Sequence, residues 1–317
     1  MRAVRFTEFG PPDVVHVAEV EAPHARPGTV RVAVRASGVS PGEMHIRSGA
    51  FRDVVPTTFP WLTGFDAAGV VDEVGDDVTG VAVGDEVFGM TTTAGRAANA
   101  DFAVLTAWAA KPGGWSWEEA GGAAGAVETA TRVLDRLAVQ AGQTVLIQGA
   151  AGGVGAVAVQ LAVARGATVI GTAREGNHEF LRSLGAVPTT YGDGLVERVR
   201  TLAPSGVDAV FDCAGGSLPD LIAIAGDPAR VVTIAPDFTA AAHGVHMSHG
   251  APADGTADAV GAPADPLAVR GLAIAVALAA EGRLRVPVAA AFPLDEVVAA
   301  HELCETRHAR GKIVLVH

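Results

Sequence analysis

The sequence predicts an α/β protein, with a doubly wound parallel sheet following a β-rich, barrel-like N-terminal segment. The first sign is a β-rich apolar run, Val145–Ile147, entering the small-residue turn Gly149–Gly155, after which Val154, Val157, Ala158 and Leu161 recur at helical spacing. The second is repetition from about 123 to 265. Strands near 144–148, 167–172, 208–212 and 230–234 alternate with helices near 153–165, 177–185, 194–203 and 217–225. Such alternation implies a parallel sheet covered on both faces. The third is the region before about 120, where short alternating strands (Thr29–Arg35, Gly69–Gly75, Gly84–Phe88) are closed by glycine or Asp-Asp turns.

Strand, glycine turn and helix in that order form a phosphate-binding corner. Gly152 and Gly153 let the backbone approach a pyrophosphate, and Gly155 lets the helix lie close on the strand. The helix N-terminus offers its unpaired N–H groups to the anion. Ala150 stands where the first glycine of the fingerprint is expected. A lone glycine motif is weak, and its strand–turn–helix context is what favours a nucleotide site over an ordinary turn. Ala150, Gly152, Gly153, Val154 and Gly155 are therefore candidate cofactor-binding residues.

Residues 236–266 are rich in Ala, Gly, Pro and Asp with little periodicity and read as a long loop. Leu267–Glu281 then reads as a helix and Lys312–Val316 as a final strand, with no internal repeat. With 317 residues, one very large domain or two of ordinary size is expected. The balance of 23 basic to 35 acidic residues, −12 overall, argues against nucleic acid or an anionic membrane surface as partner. A cofactor phosphate would need a local cluster of cations. Two cysteines, Cys213 and Cys304, exclude a disulfide framework and suit a reducing compartment. The N-terminal Met1–Phe6 alternates like a strand and lacks a signal-peptide core. The longest apolar run, Leu272–Ala280, is too short to span a bilayer. A soluble cytoplasmic protein acting on a small molecule is the expectation.

Ala36–Ser40, Gly64–Val70, Val83–Val87 and Gly311–Leu315 together resemble the medium-chain dehydrogenase/reductase superfamily across essentially the whole chain. The zinc-free quinone oxidoreductase branch, with zeta-crystallin and the enoyl reductases of polyketide synthesis, is the part it resembles most. The resemblance implies a GroES-like catalytic domain over 1–122, completed by 267–317, and a Rossmann domain over 123–266. It also implies a homodimer formed through a sheet edge of the nucleotide domain. Zinc-dependent members hold their metal with cysteine, histidine and cysteine, and the matching positions are Ser40, Phe65 and Gly125. None offers a thiolate or imidazole. The four-cysteine structural zinc lobe is also missing from the sequence.

Cofactor choice is read at the end of the second strand. An NAD site places Asp or Glu there for the ribose 2′-hydroxyl, whereas this strand ends in Gly171-Thr172-Ala173 and then Arg174. A guanidinium can pair with a 2′-phosphate, which a carboxylate would repel. Glu175 is the counter-observation, and a solvated helix-start arginine is the bland alternative. His178, one turn on, is a further candidate donor, because relatives often carry a cation about there. NADPH is thus expected over NADH. By resemblance, Tyr191 stacks beside the adenosine ribose, and Thr129 contacts the cofactor. Thr172, Ala214, Ile234 and Ala235 lie at the carboxyl ends of strands, where backbone groups meet it.

Without zinc, the suited reaction is hydride delivery to a quinone or to the β-carbon of an enone. A hydrogen-bond donor at the developing oxyanion is worth on the order of 10²–10³ in rate. Relatives often carry Asn at the Ser40 position and Tyr or Lys at the His45 position, so Ser40 and His45 are the candidate donors. His45 is the leading proton donor or substrate orienter, against a cleft-lining histidine with water delivering the proton. Glu128 stands where relatives place an apolar residue. It is either a neutral proton donor, or a carboxylate turned to solvent or paired with Arg132. His243, His246 and His249 are spaced by three, but neither strand nor helix would bring them to one point, so no metal is expected. A zinc-free alcohol or ketone reductase, or an NADPH-binding protein with little turnover, are the alternatives to a quinone or enoyl reductase.

Overall fold

The computed structural model describes residues 1–53, 55–91, 97–237, 239–250 and 264–317. The chain divides into two compact units. One comprises Met1–Ala126 and Val269–His317, and the other Val127–Ala251 and Ala264–Ala268.

In the first unit, β1 (Arg2–Phe6) pairs antiparallel with β2 (His16–Glu19). The long strand β3 (Val30–Val39) leads into helix α1 (Pro41–Arg47). Strand β4 (Trp61–Leu62) completes the small sheet with β1, and β5 (Asp66–Val74) and β6 (Glu86–Met90) extend the large one. Strands β7 (Phe102–Leu105) and β8 (Ala107–Ala110) follow, then helices α2 (Trp117–Gly121) and α3 (Ala124–Arg136). Alternation in β3 turns Val30, Val32 and Val34 inward, where they pack with Val71, Val87 and Leu105. The division between the units falls inside α3, between Ala126 and Val127.

The second unit alternates strand and helix. It contains β9 (Thr144–Gln148), α4 (Gly153–Ala164), β10 (Thr168–Thr172), α5 (His178–Ser183) and β11 (Val187–Thr189). After these come α6 (Leu195–Leu202), β12 (Ala209–Asp212), α7 (Leu218–Ala225), β13 (Val231–Thr233) and β14 (His246–Met247). The strand order is β11-β10-β9-β12-β13-β14, parallel throughout. The order reverses between β9 and β12, which is the topological switch point of an open α/β sheet. Strand β9 is buried on both faces, and Ala156–Ala162 of α4 is buried as well. That explains the near-continuous apolar character of both.

The chain then returns to the first unit with α8 (Gly271–Ala280), β15 (Val288–Pro293), α9 (Val297–Glu305) and β16 (Lys312–Val316). Strand β16 pairs with β3, so the large sheet runs β15-β16-β3-β5-β6-β8, with β7 also on β3.

Two readings of the sequence change. The stretch 236–266 is not structureless: β14 lies within it as the sixth strand of the parallel sheet. Two residues are too short to show a period. Positions 251–263 of that stretch lie outside the described residues. The helix read as starting at Leu267 begins at Gly271, and the Ala268 amide before it donates to Glu128.

Candidate functional site

The glycine turn is built by close backbone contacts. A Cβ on Gly155 would stand 2.4 Å from the Gly149 carbonyl oxygen and 2.8 Å from Ala150 Cα, so only glycine lets α4 start this near β9. Gly149 takes φ +73°, a conformation suited to glycine. Ala150, in the first glycine's place, is accommodated by a second glycine. A Cβ on Gly171 of β10 would lie 2.9 Å from the Ala150 methyl. Gly152 caps α4, whose first amides, from Gly153 to Gly155, have no partner within the helix. A dinucleotide pyrophosphate fits this cradle in both shape and charge.

Thr172 has a different role from the one its position suggested. It is fully buried; its hydroxyl donates to Gln148 Oε1 at 2.6 Å and accepts from the Gly149 amide at 3.0 Å. Its carbonyl receives the Ala150 amide at 3.0 Å. Thr172 therefore hangs the glycine turn from β10, and the single proton of its hydroxyl is committed to Gln148. Ala150 is likewise buried and shapes the turn from inside.

Beyond β10, Arg174 is exposed at the start of a 3₁₀ turn over Glu175–Asn177 and makes no ion pair among the described residues. His178 Nε2 lies 3.3 Å from the Ala173 carbonyl, to which it can only donate, so Nδ1 is a donor only on the doubly protonated ring. Tyr191 is half exposed, and its loop is fastened by Arg198, which donates to the carbonyls of Thr190, Tyr191, Gly192 and Asp193.

At the far side of the switch point, Asp212 ends β12 completely buried. Its Oδ1 accepts from the amides of Ala214 at 3.0 Å and Gly215 at 2.9 Å, and its Oδ2 from the Thr233 hydroxyl at 2.8 Å. Thr233 Oγ in turn accepts from the Ala235 amide at 3.1 Å, and the Asp212 carbonyl accepts from Ile234. One carboxylate thus sets the turns that carry Ala214, Ile234 and Ala235. Sequence reasoning missed it, although an acidic residue closing an apolar strand was the available signal.

Glu128 is corrected by its surroundings. It is buried on α3 with both oxygens engaged by Arg132, Nε at 2.8 Å and Nη2 at 3.2 Å. Oε1 also accepts from the Ala268 amide at 3.1 Å and Oε2 from the Thr129 hydroxyl at 3.3 Å. Both Glu128 oxygens face donors, the arrangement of the alternative that pairs it with Arg132. Arg132 also donates to Ser248 Oγ, which donates to Asp265 Oδ2 at 2.5 Å; Asp265 further binds His246 at 2.9 Å and Arg136 at 2.9 Å. Hydrogen bonding by Ser248 and these cations hold the Asp265 carboxyl below its ordinary value against the opposing effect of burial, which is the largest single influence. His246 is thereby used in an ion pair, and among the described residues no three His, Cys, Asp or Glu side chains converge on a metal position.

In the first unit, Ser40 caps α1 with Glu43 at the third helical position, a capping box. The Ser40 amide donates to Glu43 Oε2 at 3.0 Å, and the Ser40 hydroxyl reaches the same oxygen at 3.4 Å. Glu43 Oε1 accepts from the Gly64 amide, so this buried carboxylate ties the end of β3 to the approach to β5. Next to Phe65, buried Asp66 accepts from the Gly125 amide at 2.7 Å and pairs with Lys312 Nζ at 3.3 Å. A Cβ on Gly125 would meet Asp66 Oδ1 at 2.5 Å. The neighbourhoods of Ser40, Phe65 and Gly125 are thus drawn together by two carboxylates and a lysine. Their donor set does not fit zinc, since Phe65 and Gly125 carry no side-chain ligand atom. His45 is half-buried on α1 with its ring 5.1 Å from that of Phe51. Burial, then the Arg307 charge, lowers its pKa, so the imidazole is neutral at neutral pH.

A parallel sheet with a glycine turn at its switch point, in a chain whose other unit has a mainly antiparallel sheet, is an architecture suited to holding a dinucleotide. The chain matches the alcohol dehydrogenase GroES-like domain over residues 26–143 and the zinc-binding dehydrogenase family over residues 184–315. It is 34% identical to rat (Rattus norvegicus) quinone oxidoreductase over 220 residues, 67% of this chain and 66% of that protein. It is 32% identical to the 2-methylene-furan-3-one reductase of Solanum lycopersicum over 226 residues, 68% of this chain and 57% of that protein. The crystal structure of an alcohol dehydrogenase superfamily protein from Novosphingobium aromaticivorans superposes with a TM-score of 0.81. It shows 30% identity, covering 100% of this chain and 99% of that one. The matched part spans between 10% and 66% of the length of the first curated relatives. The chain belongs to the medium-chain dehydrogenase/reductase superfamily, in its quinone oxidoreductase branch.

Proposed function

We propose that this protein is an NADPH-dependent, zinc-independent reductase that delivers hydride to a quinone or to an activated C=C bond of a small molecule. The observation that carries the proposal is the pairing of the glycine cradle at β9–α4 with an exposed, unpaired Arg174 where an NAD site would hold an acid. Gly152, Gly153 and Val154 would hold the pyrophosphate, Arg174 and His178 the 2′-phosphate, and Tyr191 the adenosine side. Bound NADPH supplies the hydride.

As hydride reaches the acceptor, negative charge grows on its carbonyl oxygen. Ser40 and His45 are the groups assigned to receive that oxygen, each by a single donated hydrogen bond. The Ser40 hydroxyl must turn from Glu43 Oε2 to do so, a weak bond at 3.4 Å. His45 starts neutral, so it orients the oxygen through N–H, and the proton that completes the reduction comes from water. The names of a quinone oxidoreductase and a furanone reductase among the relatives support this pair of acceptor classes. A homodimer in the cytoplasm is the accompanying expectation, and no described helix is long and apolar enough to cross a membrane.

The test is steady-state NADPH oxidation by the purified chain with a panel of quinones and α,β-unsaturated ketones, before and after dialysis against a chelator. Turnover that survives chelation and is slower with NADH supports the reading. Tight NADPH binding without turnover across the panel would turn it toward a binding protein.

A further inference from the structure

Asp212 is a buried charge that the assigned hydride-transfer chemistry leaves unused. Three donors point at it, no acceptor faces it, and no cation pairs with it among the described residues. The carboxylate is thus held in place by three neutral donors, two backbone amides and a hydroxyl. Its influence is felt one residue on, where enclosure by protein and the Asp212 charge push the Cys213 thiol well above its ordinary value.

The turns it holds abut the glycine corner. A Cβ on Gly149 would stand 3.0 Å from the Ala214 methyl, and one on Gly215 would stand 3.0 Å from the Ala235 methyl. Asp212 therefore lies beneath a continuous platform formed by Gly149, Ala214, Gly215 and Ala235. In an open sheet the dinucleotide crosses the switch point, with its pyrophosphate on α4. If Arg174 beyond β10 marks the adenosine phosphate, the nicotinamide half lies on the opposite side, over β12 and β13. The nicotinamide ring is neutral when reduced and positive when oxidised. A fixed anion under that half acts on the two forms differently.

We propose that Asp212 biases the site toward the oxidised cofactor, stabilising the positive ring that forms as hydride leaves and so favouring hydride donation. The inference rests on the NADPH reading of the preceding section. It assigns Asp212 an electrostatic and positioning role, without contact to the reacting atoms.

The experiment titrates wild type and Asp212→Asn with NADPH and with NADP⁺ by calorimetry, without any acceptor. The substitution should weaken NADP⁺ roughly three- to tenfold more than NADPH, as expected for loss of one charge acting through protein. Thr233→Val keeps the carboxylate while removing one of its three donors and the hydroxyl that holds the Ala235 amide, and should leave the ratio of the two affinities within about twofold of wild type. Asp212→Ser carries the same expectation as the asparagine variant and replaces it should the latter not fold. Equal weakening of both forms by Asp212→Asn, or an equal shift of the ratio by Thr233→Val, would overturn the proposal. Wild-type protein that binds no NADPH at all would instead refute the cofactor reading.

Discussion

Replacing Arg132 by methionine removes the only cation bound to Glu128 among the described residues while keeping most of the side-chain volume. Glu128 and Arg132 side chains are 3% and 6% exposed, so water cannot take the place of the guanidinium. The carboxylate would keep the Thr129 hydroxyl and the Ala268 amide, both neutral donors at 3.3 and 3.1 Å. An uncompensated buried charge of this kind costs about 3–5 kcal/mol. Asp265 retains Arg136 and His246, so the loss is concentrated on Glu128. All four tryptophans, Trp61, Trp108, Trp115 and Trp117, lie in the first unit, so their fluorescence cannot report this change locally. Hydrogen exchange at the β9 and β12 amides can, and their opening free energy should fall by about 3–5 kcal/mol. The double variant Glu128→Leu with Arg132→Met removes both charges and should recover most of that, within about 1–3 kcal/mol of wild type for the donors left unpaired. A single variant costing under about 1 kcal/mol, or a double variant no better than the single, would refute the reasoning.

Further outcomes follow from the same structure. Gly155→Ala places a Cβ 2.4 Å from a backbone oxygen that cannot turn aside, so α4 must shift; stability should fall by about 1–3 kcal/mol and NADPH affinity more steeply, as read by urea melts and titration. Arg174→Gln should weaken NADPH by tenfold or more, the worth of about 1.5–3 kcal/mol for a charge-assisted bond, and leave NADH unchanged; equal effects on both would remove Arg174 from the phosphate site. Burial holds His301 down to about 3 and His317 to about 4, with Arg47 adding to the first and Arg2 to the second. Both folded values lie below the unfolded value of 6.5, so the unfolded chain takes up protons that the fold refuses. Stability is then at its full value above pH 6.5 and declines toward pH 4, by up to about 1.4 kcal/mol per pH unit for each histidine. A flat urea midpoint over that window would contradict this, and His301→Leu should roughly halve the slope.

Local patterns in the sequence were the readable part. The β9–α4 corner, the repeating strands and helices and the inward valines of β3 all follow from periodicity and glycine placement over a dozen residues. The capping box of Ser40 and Glu43 was also written locally, three residues apart. Glu43 to Gly64, Asp66 to Gly125 and Lys312, and Asp212 to Thr233 were not, because each bond joins residues separated by a strand crossing or more. The direction of the Thr172 hydroxyl was not legible for the same reason. The residue's position at a strand end is visible in the sequence, whereas the direction of its hydroxyl depends on Gln148 in the neighbouring strand. Glu128 was ambiguous until Ala268, far along the chain, was seen to share it with Arg132.

The contact between Ala150 and Gly171 bears on heredity as well as on shape. The methyl that replaces the expected glycine occupies the room left by a missing side chain on the adjacent strand. Alanine at 150 demands glycine at 171, and a side chain at 171 demands glycine at 150 and some give from the Leu181 side chain, 3.1 Å from the same Cβ. In an alignment of relatives the two columns should trade volume, so that sequences carrying an intact glycine fingerprint are the ones released to place a side chain on β10.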